Sequence, residues 1–291
     1  MGMVAKSGVF NIGGELPVHR MGYGAMKLTG PGVWGPPEDE GYARALLRRA
    51  VELGVDFIDT ADVYGPDHNE RIIREALYPY PSGLVIGTKA GLVRKDGPAT
   101  RENPGISMNG SERHIRDAVE GSLRKLGVEC LNLCQLHRID PAIPVEETME
   151  VFRALRDEGK IRHIGLSEVG VEAIERARSV VEIATVQNVY NLITRVHEDV
   201  LTYCELNKIA FIPFWPLHSG GLLELEAVVG IAARRDARPA QVALAWLLQK
   251  SPSIILIPGT SSIAHLEQNI EACDLELSAA EMVALEGLAD H

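Results

Sequence analysis

The sequence contains few cysteines, and their spacing argues against a metal site. Four are present in 291 residues: Cys130, Cys134, Cys204 and Cys273. The first two lie on the apolar run that precedes His137, and no second Cys or His pair has a spacing typical of zinc ligands. We therefore expect no bound metal, and we expect four buried free thiols in a protein of a reducing compartment.

Long apolar runs and an excess of basic residues are also absent. No stretch reaches the ~18 apolar residues of a spanning helix, and the chain opens without the charged and apolar regions of a secretory signal. Lys and Arg total 29 against 40 Asp and Glu, and the formal net charge of -11 argues against nucleic acid as the main partner. These absences predict a soluble cytoplasmic protein that binds neither membrane nor nucleic acid.

Short apolar runs alternate with amphipathic stretches along most of the chain. Hydrophobic residues make up 46% of the sequence, enough for a sizeable core. An N-terminal segment, residues 8–18, has a plausible hairpin turn at Gly13 and Gly14. The apolar runs predict eight strands, at residues 21–24, 57–59, 84–88, 131–136, 163–166, 183–187, 210–214 and 254–257. Helical spacing of apolar residues predicts seven helices, at residues 40–53, 69–77, 112–126, 145–158, 171–178, 198–206 and 239–248.

Recognisable helix ends support this division. Ser111 can cap the helix that follows it, and Gly54, Gly127 and Gly159 follow three other helices as stop signals. Eight strand–helix units in succession predict an α/β protein with a (β/α)8 TIM barrel and an N-terminal β-hairpin, in one domain over residues 1–291. A doubly wound sheet is the alternative, but residues 21–26 lack the third glycine of its phosphate loop.

Four polar residues stand where the apolar runs end. Asp59 ends one run, Tyr64 lies five positions further on, Lys89 follows the run at 84–86, and His137 follows the run at 131–136. Because the carboxyl ends of parallel strands share one face, these side chains can meet there. An acid, a phenol, an amine and an imidazole in one pocket indicate proton transfer.

Their chemistry suggests distinct tasks. Free tyrosine has a pKa of ~10, too high for an efficient acid near neutrality unless its surroundings favour the phenolate. A lysine cation beside Tyr64 would lower that pKa, and a buried Asp59 would hold Lys89 charged. His137 could orient a substrate carbonyl or assist proton delivery. A single loop tyrosine or strand-end lysine usually has only a structural or solvated role, but together they favour catalysis.

The residues around these positions carry a family resemblance. The sequence GVDFIDTADVYG at residues 54–65 closely resembles the signature of the aldo-keto reductase superfamily. The likeness continues, in the family's order, at residues 88–89, 135–138, 159–167 and 257–260. The resemblance implies a (β/α)8 barrel that binds a nicotinamide cofactor without a Rossmann domain. It also implies reversible hydride transfer between that cofactor and an aldehyde or ketone.

Site roles follow from the same resemblance. Tyr64 matches the general acid, Lys89 and Asp59 match its tuning pair, and His137 matches the imidazole that orients the substrate. Ser167 and Gln187 match residues that hydrogen-bond the nicotinamide carboxamide. The full cofactor set that the resemblance implies is Gly24, Ala25, Met26, Asp59, Ser167, Glu168, Gln187, Phe214, Trp215, Pro216, Leu217, Pro258, Gly259, Thr260, Ser261, His265, Gln268 and Asn269.

Several of these positions depart from the family pattern. Glu168 stands where relatives often have Asn, and Phe214 replaces a frequent Tyr while keeping an aromatic face for stacking. Trp215 either packs at the barrel rim or contacts cofactor or substrate. Gly259 and His265 stand where many relatives carry Lys and Arg around the adenosine 2′-phosphate. The pattern resembles a subgroup that includes bacterial and fungal pyridoxal reductases, which implies NADPH, with NADH use also open.

The substrate is less well defined by sequence. Trp34, in a Gly- and Pro-rich loop after the first strand, either lines a substrate pocket or anchors its loop. Arg94, Lys95 and Arg101 could meet an anionic substrate, although solvated charges are the more common case. Besides a carbonyl reductase, the sequence is compatible with an NAD(P)-linked alcohol dehydrogenase or a cofactor-binding regulatory subunit. The sequence contains no coiled-coil seam and gives no indication of the oligomeric state.

Overall fold

The chain begins with an antiparallel hairpin. The computed structural model describes residues 3–95, 97–98 and 105–290. Strands β1 (Val9–Ile12) and β2 (Leu16–His19) pair through a turn in which Gly13 and Gly14 have φ of 59° and 77°. Glycine adopts such positive φ values without the steric cost that a Cβ imposes. The predicted N-terminal hairpin is confirmed.

Parallel strands form the centre of the molecule. The remaining strands are β3 (Tyr23–Gly24), β4 (Phe57–Asp59), β5 (Val85–Ala90), β6 (Leu92–Arg94), β7 (Ile106–Met108), β8 (Leu131–Leu136), β9 (Ile161–Ser167), β10 (Thr185–Gln187) and β11 (Ala210–Phe211). Seven of them form one sheet in the order β3-β4-β5-β8-β9-β10-β11, with every pairing parallel. Strands β6 and β7 form a separate antiparallel hairpin that the sequence did not predict.

The eighth predicted strand closes the sheet through isolated bridges. Leu256 bridges Met21 beside β3, and Ile254 bridges Phe211 of β11. Gly22 donates its N–H to the Leu256 carbonyl at 2.8 Å, and Ile255 donates to the Phe211 carbonyl at 2.9 Å. The predicted continuous strand at 254–257 is therefore wrong in its form, but the segment occupies the predicted place. The (β/α)8 barrel is confirmed.

One strand boundary matters for the site. The sequence placed Lys89 just past a strand at 84–88, but β5 runs on to Ala90 and contains Lys89. The strand is longer because Lys89 and Ala90 pair with Gln135 and Leu136 of the neighbouring β8. Its side chain is consequently fixed by strand alternation rather than carried on a loop. Strands β10 and β11 are shorter than the predicted runs at 183–187 and 210–214.

Helices cover the outside of the sheet. They are α1 (Glu40–Glu52), α2 (Asn69–Leu77), α3 (Glu112–Leu126), α4 (Val145–Asp157), α5 (Val171–Arg178), α6 (Glu198–Asn207), α7 (Glu226–Arg234), α8 (Pro239–Lys250), α9 (Ile263–Glu271) and α10 (Ala279–Glu286). The seven predicted helices are present, with ends within two residues. Ser111 caps α3, and Gly127 ends it at a φ of 69°. Helices α7, α9 and α10 were not predicted.

The barrel interior is divided into an apolar and a polar layer. Its apolar part includes Phe57, Val85 and Leu133, and the hairpin residues Ile12 and Val18 pack against them. Polar residues follow on the same inward-facing rows, because side chains on one face of a strand recur with a period of two. Asp59 and Gln135 lie two positions after Phe57 and Leu133, and Lys89 lies four positions after Val85. The hairpin thus covers the apolar end, and the polar layer lies at the carboxyl ends of the strands.

The cysteines depart in part from expectation. Cys134 and Cys204 are buried and Cys273 is half-buried, but Cys130 is exposed. The prediction that all four are buried is wrong because Cys130 precedes the first residue of β8, Leu131, and escapes the sheet packing. Within the described ranges, His, Cys, Asp and Glu side chains nowhere group in threes that could hold a metal ion.

Every helix in the described ranges is too short or too polar to cross a membrane.

We expect Gly22→Ala to destabilise the fold at the closure of the barrel. A Cβ at residue 22 would lie 2.7 Å from the Phe57 carbonyl oxygen, a backbone atom that cannot turn aside. Overpacking of this kind costs about 1–3 kcal/mol of unfolding free energy, measurable by urea denaturation. Gly287→Ala is the control, because a Cβ there has no neighbour within 4 Å. Equal stability of the two variants would contradict the close approach of residue 22 to the Phe57 backbone where the barrel closes.

Candidate active site

A buried ion pair occupies the polar layer of the barrel. The Lys89 ammonium donates to Asp59 Oδ2 at 2.6 Å and to the Thr60 carbonyl at 2.8 Å. Both side chains are almost completely buried, at 0% and 4% exposure. Burial alone would lower the pKa of Lys89, but the attraction of Asp59 and Tyr64 outweighs it, and the pKa lies above its usual value. Lys89 therefore stays charged inside the barrel.

Two amide side chains hold the other oxygen of Asp59. Gln187 donates from Nε2 to Asp59 Oδ1 at 2.9 Å, and Gln135 donates to the same oxygen at 3.4 Å. Thr185 donates its hydroxyl to Gln135 Oε1 at 3.0 Å and so orients that amide. Sequence reasoning did not assign Gln135 this role. Gln135 lies two residues after the inward-facing Leu133 on β8, and this spacing is the sequence pattern that could have placed it in the barrel interior.

Tyr64 is brought to the ion pair by the loop that follows β4. The Lys89 ammonium lies 3.4 Å from the Tyr64 hydroxyl oxygen and 5.0 Å from the centre of its ring. Burial raises the pKa of Tyr64 above that of free tyrosine, and the Lys89 charge offsets part of this rise. The phenol thus holds its proton at neutral pH and has a cation beside it to stabilise the phenolate.

His137 completes the polar group directly after β8. Its ring meets the Tyr64 ring edge to face, with centroids 5.9 Å apart and an interplanar angle of 81°. Burial, together with the charges of Lys89 and Arg138, holds the pKa of His137 well below its usual value. A neutral imidazole carries one N–H that can donate to a carbonyl oxygen. Its Nδ1 has no hydrogen-bond partner in the described part of the chain.

These side chains open onto a cavity of about 650 Å³. Asp59, Tyr64 and His137 line it, whereas Lys89 lies behind them. The other lining residues that the sequence indicated come from three parts of the barrel. These are β3 with the residues just after it, the ends of β9 and β10 with the loop after β11, and the turn after the closing segment at 254–257. The residues are Gly24, Met26, Ser167, Gln187, Phe214, Trp215, Pro216, Leu217, Pro258 and Gly259.

Glu168 and Trp34 are among the predicted contacts that lie outside this cavity lining. The Glu168 carboxylate accepts the Val189 backbone N–H at 2.8 Å, which engages it in a turn next to the cavity. Trp34 lies 5.8 Å from the Arg94 guanidinium, and Arg94 rather than Trp34 lines the cavity. Of the two interpretations of Trp34, the structure favours the loop anchor.

The remaining predicted cofactor positions surround the start of α9 or pack beside the cavity. Thr260 is buried, and its hydroxyl accepts the Ser262 N–H at 3.1 Å. Ser262 caps α9 by accepting the His265 N–H at 3.3 Å. Ser261 and His265 are exposed on this turn. Besides Glu168, the predicted cofactor positions that do not line the main cavity are Ala25, Thr260, Ser261, His265, Gln268 and Asn269.

The lining residues fit a nicotinamide cofactor. Ser167 and Gln187 are buried polar groups on the wall, and Phe214 adds an aromatic face beside them. Gln187 uses its amide nitrogen on Asp59, so its Oε1 can accept from a carboxamide. At Gly24 a Cβ would lie 2.6 Å from the Ile257 carbonyl oxygen, so only glycine lets these two wall segments approach. A flat amide-bearing ring matches this set of groups.

Sequence reasoning missed several residues of the cavity wall. Arg138, which directly follows His137, donates from Nη1 to the Ser167 hydroxyl at 2.9 Å. Lys27 and Val33 contribute from the segment after β3, and Leu92 and Ile106 from the unpredicted β6–β7 hairpin. The position of Arg138 within the motif at residues 135–138 was the one available signal.

Comparison with known proteins gives a consistent result. Residues 20–290 match the model of the aldo/keto reductase family. The chain is 45% identical over 274 residues to an uncharacterized oxidoreductase of Schizosaccharomyces pombe, covering 94% of this chain and 87% of the relative. It is 42% identical over 290 residues to pyridoxine 4-dehydrogenase of Escherichia coli, covering 98% and 99%.

Solved structures give the same fold. The glycerol dehydrogenase of Gluconobacter oxydans superposes with a TM-score of 0.87 at 26% identity, covering 97% of this chain and 95% of that one. An aldo-keto reductase of Klebsiella pneumoniae in complex with NADPH superposes with a TM-score of 0.81 at 27% identity, covering 97% and 94%.

We expect Asp59→Asn to destabilise the protein more than the double variant Asp59→Asn/Lys89→Met. The single substitution leaves the buried Lys89 ammonium without its carboxylate, which typically costs about 3–5 kcal/mol of unfolding free energy. Removing both charges relieves that cost, because Met replaces the lysine stem without a charge. Urea denaturation of the wild type, both single variants and the double variant measures the coupling. Additive effects would contradict a buried ion pair.

Proposed function

The chain belongs to the aldo/keto reductase family, and we propose that it reduces an aldehyde or ketone to an alcohol with NADPH as the hydride donor. The observation that carries this proposal is the half-buried Tyr64 hydroxyl, which lies 3.4 Å from the Lys89 ammonium at the wall of the cavity. The NADPH-bound relative from Klebsiella pneumoniae supports the choice of cofactor. The match of residues 20–290 to the family supports the reaction class.

In this proposal Ser167 and Gln187 would hydrogen-bond the carboxamide of the cofactor, and Phe214 would offer its ring face to the nicotinamide. The partial positive charge at the N-terminus of α9, with the Thr260 and Ser261 hydroxyls nearby, favours a phosphate although Lys and Arg are absent at 259 and 265. When bound, NADPH supplies the hydride.

Tyr64 and His137 act on the carbonyl oxygen. Both donate hydrogen bonds to it, and these strengthen as negative charge develops there. Tyr64 then gives up its proton to form the alcohol. Lys89 stabilises the resulting phenolate, and Asp59 keeps Lys89 charged and in place through its 2.6 Å contact. Neutral His137 assists without adding a competing positive charge.

Relatives guide the first choice of substrate. Pyridoxine 4-dehydrogenase is 42% identical over nearly the whole chain, so pyridoxal is the first aldehyde to assay. The same name supports a second candidate, an alcohol dehydrogenase that works in the opposite direction. The site serves both directions, because the Tyr64 phenolate can take back the proton from an alcohol. The intact set of Asp59, Tyr64, Lys89 and His137 disfavours a purely structural subunit.

We expect Tyr64→Phe to lower kcat for pyridoxal, or for the best aldehyde found, by about 10²- to 10⁴-fold because it removes the proton donor. NADPH affinity should be kept, since the ring and its packing stay. Steady-state oxidation of NADPH, followed by absorbance, measures the first effect, and fluorescence titration measures the second. Tyr78→Phe is the matched control, on a side chain with 57% exposure. Unchanged turnover in Tyr64→Phe would rule out Tyr64 as the proton donor.

We also expect NADPH to bind more tightly than NADH, because the start of α9 offers donors for the extra phosphate. Fluorescence titration of the wild-type protein with each cofactor measures both dissociation constants. NADH binding tighter than NADPH by about tenfold, equivalent to ~1.4 kcal/mol, would refute the cofactor preference.

A further inference from the structure

The wall of the main cavity carries an unbalanced positive charge. Lys27, Arg94 and Arg138 line it, and the carboxylate that lines it, Asp59, is already paired with Lys89. Among the residues that the structure describes, neither arginine has a carboxylate within ion-pair distance. The chain as a whole has a formal charge of -11, so a basic cavity does not follow from its composition.

Arg138 lies at the boundary between the catalytic residues and the proposed cofactor contacts. Its Nη1 donates to the His137 carbonyl at 2.6 Å and to the Ser167 hydroxyl at 2.9 Å. Its guanidinium also lies 5.8 Å from the centre of the Phe214 ring. All of these partners are uncharged, and the nearby Glu168 carboxylate attracts Arg138 without forming an ion pair with it, so the half-buried guanidinium has lost part of its hydration without a directly bound counter-ion.

Arg94 contributes a second guanidinium from β6. It donates to the Gly32 carbonyl and lies 5.8 Å from the Trp34 ring, which holds it against the loop after β3. Its Nε is buried and has no hydrogen-bond partner among the described residues. Leu92 and Ile106 of the same hairpin give the cavity an apolar wall beside it.

We propose that Arg138, assisted by Arg94, determines specificity at this site and selects carbonyl substrates that carry a carboxylate or phosphate group. Two oxygens of such a group can accept paired N–H groups from one guanidinium, and the resulting charge-assisted bonds are strong where water is partly excluded. The anion would also supply the counter-charge that the cavity wall lacks. This inference rests on the proposed reductase function and specifies its substrate class.

A matched pair of aldehydes tests the proposal. 4-Formylbenzoate carries a carboxylate, and methyl 4-formylbenzoate has the same ring and aldehyde but no charge. We expect Arg138→Met to raise KM for 4-formylbenzoate by a factor at least about tenfold larger than the factor by which it raises KM for the methyl ester. Arg138→Lys keeps the charge but loses the paired donors, so its KM for 4-formylbenzoate should lie between the values of the wild type and Arg138→Met. Arg94→Met should show the same selectivity with a smaller effect.

Two further measurements separate this role from others. Arg113→Met is the charge control, because Arg113 is on α3 with 94% side-chain exposure, and neither aldehyde should respond to it. NADPH affinity of Arg138→Met should stay within about threefold of the wild type by fluorescence titration. D-Glyceraldehyde 3-phosphate against D-glyceraldehyde gives the corresponding phosphate pair, and whichever anion shows the larger Arg138 effect identifies the preferred group.

Binding is measured as well as turnover, so that failure of the reductase function can be recognised. Quenching of tryptophan fluorescence by 4-formylbenzoate and by its ester gives dissociation constants that do not depend on catalysis. A wild type that binds the carboxylate through Arg138 but reduces neither aldehyde would refute the proposed reaction and keep this inference. Three results for Arg138→Met would overturn the proposed role of Arg138. They are an equal loss of affinity for the acid and the ester, no loss for either, and a loss confined to NADPH affinity.

Discussion

The ion pair between Lys89 and Asp59 is the interaction on which this site depends. A lysine with no exposed surface stays charged only because a carboxylate lies 2.6 Å away and two amides fix the other carboxylate oxygen. The pair sets the electrostatic surroundings of Tyr64 and His137 in different ways. The Lys89 charge partly counters the burial that raises the pKa of Tyr64, and it helps to keep His137 neutral.

The barrel provides the dry environment that this pair requires. Apolar residues such as Phe57 and Leu133 fill the lower interior, and the N-terminal hairpin packs against them with Ile12 and Val18. Water is therefore excluded from below, and electrostatic interactions in the upper layer are stronger than at the surface. The same period of two along each strand produces both layers, since Asp59 follows Phe57 on one inward-facing row. The strands that carry the apolar core residues therefore also carry polar residues of the site.

Sequence resemblance and structure gave different information about the cavity wall. The motif at 135–138 pointed to His137, but the neighbouring Arg138 gained significance only when its contacts with Ser167 and Phe214 were known. Arg94 was already a candidate contact for an anionic substrate in the sequence, but no alternation pattern indicated the β6–β7 hairpin that carries it. Both residues lie on loops or short strands, where long-range contacts rather than local periodicity decide which side chains face the cavity.

Eight barrel segments, seven helices, the family signature and the four polar residues could be identified from the sequence. Apolar periodicity is a local property, and it was sufficient for seven helices and for the succession of eight barrel segments. Tertiary structure alone decided that Lys89 lies within β5, that residues 254–256 close the sheet by isolated bridges, and that Cys130 is exposed. It also decided which cations line the cavity without a counter-ion. These features depend on pairing between residues far apart in the chain, which no local pattern records.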